Sequence, residues 1–589
     1  GNPADGADNL TMNQSGVSTF AGEISNLTDF HKSGAGTLTL TGTNAYSGTG
    51  YIDAGTLIIG SSAAMDSGND YEIASGAVLE INAPGQTATG TSIDVLSGGT
   101  FNIATNLQLN AIDNKSGGVV NSEADVQITS LHNAGVWNVL SSKAIENTTL
   151  TGTGKFVLQD ASGTATTLDL TQAGNSTFAG EFSGAGNLDK KAAGSLTLTA
   201  AQSFSGSLNV TAGAVITQGS ATFSDQLDVV VGTSGSLTLG VADTLGTLQS
   251  SGTLTINQDQ SVSSADVLGG VTTLNANLTT SAVSDTLNVS APGVLRVADG
   301  IVLDLRGGLS GDGSIALVDD AEITLGAGTI STFNGTISEA VASPDSTLTI
   351  SGGGELRLAR LDPAGTNKLV TIDKIDIQNG RLGLDGSQLL NDSITVNLEV
   401  NGDLELIDAA DGQARYEDID TLTGSGEIYL NSNTLNIHDG GSFEGTFYGN
   451  GSVNVSDGAF TINNSLSSTD GGLQVSSDEG TTVAAGTTID VKRVDVNPNS
   501  RLNVSGAGGA NQQSVVRSTD FVVHTTSTLH MGSDPVYQAG HSSNSVVEAN
   551  SIRVHGMFSG NGTLSGSSIT VTEDESTGLA ATIAPGNSP

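Results

Sequence analysis

Gly55-Thr56-Leu57-Ile58-Ile59, Gly76-Ala77-Val78-Leu79-Glu80-Ile81 and Gly99-Thr100-Phe101-Asn102-Ile103 are the three stretches whose reading decides the fold. In each, a glycine precedes a short run of alternating side chains. Leu57 and Ile59, Leu79 and Ile81, and Phe101 and Ile103 follow one another at a constant displacement. Alternation sends these pairs to one side of a strand and Ile58, Glu80 and Asn102 to the other. The displacement, about 22 residues, is the length of one β-solenoid coil. The register therefore predicts Leu57, Leu79 and Phe101 in one internal stack, with Leu on Leu and Ile on Ile in neighbouring coils.

Working outward, longer duplications appear. Ser18-Thr19-Phe20-Ala21-Gly22-Glu23 recurs as Ser176-Thr177-Phe178-Ala179-Gly180-Glu181. At the same offset of 158, Leu38 and Leu40 match Leu196 and Leu198, Tyr46-Ser47-Gly48 matches Phe204-Ser205-Gly206, and Gly55 matches Gly213. A second element, Leu-Ser/Thr-Gly-x-Gly, runs from Leu150 to Gly154, Leu309 to Gly313 and Leu422 to Gly426, with a variant from Phe558 to Gly562. Helical spacing of apolar residues is not sustained anywhere, and Gly or Asn interrupts nearly every window, each interior Gly costing a helix about 1 kcal/mol. Asn379-Gly380, Asp385-Gly386 and Asp457-Gly458 are expected to supply positive φ at coil corners. No Pro-rich or Ser-rich linker divides the chain. The expectation is an all-β protein: a single right-handed parallel β-helix (β-solenoid), continuous over residues 1–589, of about 25 coils at roughly 22 residues each.

Composition narrows the partners. The chain has 79 Gly, 4% aromatic residues and a formal charge of −42, from 61 acidic against 19 basic side chains. High charge with abundant polar residues is also a signature of disorder, but 36% hydrophobic residues in regular alternation supply a core. Nucleic acid and anionic membrane surfaces both require clustered Lys and Arg, so neither is an expected partner. There is no Cys, hence no disulfide and no thiolate metal site. No apolar run reaches the length of a membrane-spanning helix, and the Gly1-Asn2-Pro3 start has no signal-peptide pattern.

Gly36-Thr37-Leu38-Thr39-Leu40-Thr41-Gly42-Thr43-Asn44-Ala45-Tyr46-Ser47-Gly48, followed by Gly55-Thr56-Leu57, resembles the passenger-associated repeats of classical (type V) bacterial autotransporter adhesins, including self-associating ones. Ile583-Ala584-Pro585-Gly586-Asn587-Ser588-Pro589 is similar to the segment that enters the last, folding-nucleating coils of such passengers. The resemblance implies a signal peptide before residue 1. It also implies that residues 556–589 lead into an autochaperone region and an outer-membrane β-barrel beyond residue 589. It further implies export through the periplasm and outer membrane to the bacterial cell surface.

Autotransporter passengers include hydrolases, so catalytic patterns matter. No Gly-x-Ser-x-Gly elbow occurs. His31, His132, His438, His524, His530, His541 and His555 are scattered; His524 and His530 are six apart, but Thr525-Thr526-Ser527 reads as a turn or polar strand and no acid lies near in sequence. The Leu-Ser/Thr-Gly-x-Gly elements lack the Gly-Lys-Ser/Thr of a phosphate loop and read as corners. Gly307-Gly308-Leu309-Ser310-Gly311-Asp312 is like a calcium nonapeptide but has Ser310 where Gly is needed and does not recur. Asp319-Asp320-Glu322, Glu417-Asp418-Asp420 and Glu573-Asp574-Glu575 are expected to be solvated acidic surface, because a glycan-cleaving site needs paired carboxylates about 5–10 Å apart in a sugar-stacking groove. Only Trp137 and seven Tyr are available, and Trp137 alternates with Val139 as a core residue does. Six of the 19 basic residues, Arg357, Arg360, Lys368, Lys374, Arg381 and Arg415, fall in one stretch. Of these, Arg357, Arg360, Lys374 and Arg381 are the candidate ligand-binding residues, an anion-binding strip for an acidic glycan; Glu355, Asp362, Asp373 and Asp376 interleave with them. No catalytic, metal or cofactor site is expected. The reading is a non-enzymatic adhesin whose partner is a host matrix protein, a glycan or an identical molecule on a neighbouring cell. A glycan-cleaving β-helix and a passive stalk are the alternatives.

Overall fold

The computed structural model describes residues 9–585 apart from 66–67, 226, 341–345, 361–366, 411, 507–512, 533–544, 561 and 573–581. His541, Asp362 and Glu573-Asp574-Glu575 lie outside the described residues, as does the end from Gly586 to Pro589. The chain is a parallel β-solenoid of about 25 turns. Among the described residues the helical content is one short turn, Ser62–Ala64. The chain divides into two compact units, Gly1–Ser281 and Ala282–Pro589.

In the first unit the predicted stack is present. Leu57 pairs in register with Leu79, and Leu79 with Phe101. The column extends in both directions, from Leu38 through Val120, Trp137 and Phe156 to Phe182. Every one of these side chains is buried. Leu40, Ile59, Ile81 and Ile103 form a second column two positions along the same strands. Full burial of one such side chain stabilises by about 1.5–3 kcal/mol relative to exposure. The period is not constant: the coil from Val120 to Trp137 is shorter than those before it, and the coil from Phe156 to Phe182 is longer. The extra length loops out where Gln159 bridges Ala165 in antiparallel fashion, closed by Asp160 Oδ1 accepting the N–H groups of Ser162 and Thr164, each at 2.8 Å. The inward positions are kept in register and the surplus is absorbed at a corner.

Those corners explain the glycines. Gly55 and Gly76 have φ of 69° and 78°, a conformation costly for other residues. In the third coil the positive φ falls on Gly98 rather than Gly99. Gly99 is required for a different reason: a Cβ there would lie 2.5 Å from the Ile73 carbonyl oxygen. Two lysines sit fully buried at matching places in the duplicated stretches, Lys32 and Lys190. Lys32 Nζ donates to the carbonyls of Ser33, Gly34 and Ala54 at 3.2, 2.9 and 3.0 Å. Lys190 Nζ donates to those of Lys191 and Ala192, both at 3.0 Å.

The second unit repeats the principle. Leu356, Leu382, Leu404, Ile428, Phe447 and Leu466 pair successively into one buried column. The Leu-Ser/Thr-Gly-x-Gly elements of both units are coil corners, with φ of 116° at Gly152, 110° at Gly311, 103° at Gly424 and 105° at Gly560. Gly380 and Gly458 also take the predicted positive φ, but Gly386 does not; there the left-handed residue is Gln388, φ 53°. Gly386 is instead packed closely, since a Cβ would fall 2.7 Å from Leu389 Cδ2.

Candidate functional site

Strands Glu355–Ala359, Lys374–Asp385, Thr395–Leu406, Glu427–Asn431 and Thr446–Gly449 lie side by side in the second unit. Their inward residues form the Leu356 to Phe447 column, so their outward residues form two files along the surface. One file is Glu355, Arg381, Asp403, Glu427 and Thr446; the other is Arg357, Gly383, Glu405, Tyr429 and Tyr448.

Two of the four candidate binding residues, Arg357 and Arg381, belong to these files. Arg357 Nε and Nη2 donate to Glu355 Oε1 at 3.0 and 2.9 Å. Arg381 Nη1 donates to Glu405 Oε2 at 2.7 Å and Nη2 to Asp403 Oδ2 at 3.2 Å. Arg381 Cζ also lies 4.6 Å from the ring centroid of Tyr429. The other two candidates are elsewhere. Arg360 Nη2 donates to the carbonyls of Ser387 and Gln388. Lys374 stands at the far end of its strand, beyond the irregularity between Ile377 and Asn379, in a separate groove of about 640 Å³ with Asp320 and Asp373. The remaining bases of the stretch also meet acids: Lys368 meets Asp392 at 2.6 Å, and Arg415 meets Asp385.

Two tyrosines complete this surface. Tyr429 and Tyr448 stack at 5.3 Å with their planes 21° apart. Both hydroxyls donate to Glu427, Tyr429 to Oε2 and Tyr448 to Oε1, the latter at 3.3 Å. The bond to Glu427, with burial adding to it, pushes the Tyr429 phenol up to about 12. Burial raises the Asp403 carboxyl above its ordinary value against the opposing pull of Arg381. Beside these files, Glu355, Arg381 and Asp403 border a groove of about 400 Å³ whose other wall is the glycine corner at Gly353, Gly354 and Gly380. The signal available in the sequence was Tyr at the outward position of two successive coils, Glu427-Ile428-Tyr429-Leu430 and Thr446-Phe447-Tyr448-Gly449.

Other chemical groups are accounted for locally. The turn between His524 and His530 is present, with Thr526 at φ 61°, and His530 Nδ1 meets Ser559 Oγ at 2.9 Å. His524 acquires an acid remote in sequence, Asp495, at 3.5 Å. His438 lies between Ser456 Oγ, 2.8 Å from Nδ1, and Asp418 Oδ1, 3.5 Å from Nε2. In a serine hydrolase the acid orients Nδ1 and the hydroxyl meets Nε2; here the two nitrogens are exchanged. The expectation that Glu417-Asp418-Asp420 is solvated surface is corrected. Glu417 is 1% exposed and accepts the backbone N–H groups of Leu389 and Leu390 at 2.9 and 2.6 Å. Burial pushes its carboxyl up to about 8, against the pull of those two donors. It fastens the segment before the strand Thr395–Leu406. Trp137 is core, as read.

Two segments, residues 30–59 and 188–216, match the passenger-associated-transport-repeat family. They coincide with the duplicated stretches, and each contains one of the buried lysines. No curated protein and no solved structure matches the chain. The repeat implies export to the secreted or cell-surface compartment. Two such repeats, carried on a parallel β-solenoid, fit the passenger domain of an autotransporter.

Proposed function

We propose that this passenger is an adhesin, holding cells to host matrix, to glycans or to identical molecules on neighbouring cells, and that it neither makes nor breaks covalent bonds. The observation that carries the reading is the form of the outward files. Short polar side chains repeat in register on successive coils and bond to one another. Asn121 Nδ2 donates to Asn102 Oδ1 and Asn138 Nδ2 to Asn121 Oδ1, each at 2.8 Å, and Asn454 does the same to Asn436. Such rows offer many weak contacts of one kind, which many copies on a cell surface multiply by raising the effective concentration.

The test uses the purified chain in three assays: turbidity for self-association, binding to immobilised collagen, fibronectin and laminin, and release of reducing sugar or peptide. Aggregation or matrix binding without turnover supports the adhesin. Because Ser456, His438 and Asp418 adjoin, Ser456→Ala is the informative control: reproducible turnover that this substitution abolishes would overturn the reading in favour of an enzyme.

A further inference from the structure

We propose that the outward surface around Tyr429 and Tyr448 is a binding site for an uncharged oligosaccharide, with a pyranose ring stacked on the free face of Tyr448. This rests on the adhesive reading and names one ligand class and one place for it. Three observations converge. Tyr448 is 39% exposed, a large aromatic left in solvent by a chain that has only 4% aromatic residues. One face of its ring is taken by Tyr429, which is in turn covered by Arg381. On the other side the next coil pairs Phe447 with Leu466, which brings the small, exposed Ser467 into line with Tyr448. The stack thus rests on buried Ile428 and Phe447, and beyond Tyr448 the next coil carries only the short side chain of Ser467. A ring presented this way offers the flat apolar surface against which the C–H face of a sugar packs.

Charge selects the class of sugar. Within the two files, four carboxylates, Glu355, Asp403, Glu405 and Glu427, stand against two guanidinium groups, and both guanidinium groups are bound to carboxylates. A sulfated or uronic glycan would have to displace those ion pairs and approach a net negative surface on a chain of charge −42. Sugar hydroxyls are donors that carboxylates accept directly, so Glu427 and Glu405 suit an uncharged glycan. In this proposal the arginines position carboxylates and a ring, and the ligand is neutral rather than anionic.

The test titrates the full chain with cellohexaose, laminarihexaose, mannohexaose and N-acetylchitohexaose, with heparin as the anionic probe, followed by calorimetry. At least one neutral hexasaccharide is expected to bind. Tyr448→Ala should weaken it about tenfold, Tyr448→Phe should retain most of it, and raising NaCl from about 0.05 to about 0.5 M should change it less than about twofold. Circular dichroism and the denaturation midpoint of Tyr448→Ala check that the fold is intact. Heparin bound in preference, unaltered binding in Tyr448→Ala, or no binding of any of the four neutral probes overturns the site. Matrix binding and turbidity are measured on the same samples. If these persist while the neutral probes fail, the site is wrong and the adhesin stands; if all fail, both are wrong.

Discussion

Lys190 puts an amine inside the fold, where its side chain is fully buried. Its Nζ is held by two carbonyls at a turn whose Ala192 has φ of 64°, so the lysine stands in for the solvent that would otherwise satisfy those oxygens. Burial lowers its ionisation to about 8 from the ordinary 10.5. The folded state therefore binds its proton less tightly than the unfolded chain, and stability rises as pH climbs between those two values. Compared with Lys190→Met, the native chain should gain about 1–3 kcal/mol between pH 8 and pH 10.5. Urea unfolding followed by Trp137, the single and fully buried tryptophan of the same unit, reads the difference. A gap between the two proteins that is flat or shrinks with pH would show that burial does not control this lysine. At Leu79 the outcome is simpler. Leu79→Asp places a carboxylate between Leu57 and Phe101 with nothing to pair it, at a cost on the order of 3–5 kcal/mol. An unchanged urea midpoint would mean that the column is not as described.

Coils depend on where their corners permit a side chain. Gly76 has φ of 78° and open space around it, so Gly76→Asn, a residue that tolerates the left-handed region, should cost less than about 1 kcal/mol. Gly426 is different. A Cβ there would meet the Gly402 carbonyl oxygen at 1.9 Å, and the coil beneath would have to move. Gly426→Ala is therefore expected to destabilise the second unit by about 1–3 kcal/mol, despite the general gain from replacing a flexible glycine. Thermal or chemical unfolding of the two variants side by side separates glycines chosen for backbone conformation from those chosen for closeness.

The charge of −42 sets what the chain meets in solution. If the partner is a second copy, like charges must approach, and short-range hydrogen bonds from files such as Asn102, Asn121 and Asn138 must outweigh the repulsion. Salt shortens the screening length from about 10 Å at 0.1 M to about 3 Å at 1 M, so self-association should strengthen as NaCl rises. An anionic glycan held by Arg357, Arg360, Lys374 and Arg381 would give the reverse dependence. Replacing those four by Ser would then remove it, with circular dichroism checking the fold because Arg360 and Arg381 also bond neighbouring coils. Light scattering across a salt series, beside heparin binding by the native and substituted chains, distinguishes the two. Heparin binding that falls with salt and vanishes in the fourfold variant, with no aggregation at any salt, would establish the anion strip.

Period and alternation determined a great deal from the sequence alone. The solenoid, the register of Leu57, Leu79 and Phe101, the core position of Trp137 and the corner role of Leu-Ser/Thr-Gly-x-Gly all follow from local spacing, because each strand pairs with a near copy of itself one coil away. The variable coil length was hidden, since the loop at Gln159 to Ala165 changes no inward residue. What only the tertiary structure decided is which outward residues become neighbours. Glu355, Arg381, Asp403 and Glu427 come from four successive coils yet form one file. Four of the six bases in that stretch, Arg357, Lys368, Arg381 and Arg415, therefore became ion pairs, and two tyrosines on adjacent coils became a stacked surface. The physical reason is that inward positions answer to burial, which every coil repeats, whereas outward positions answer to whatever the coils above and below happen to carry.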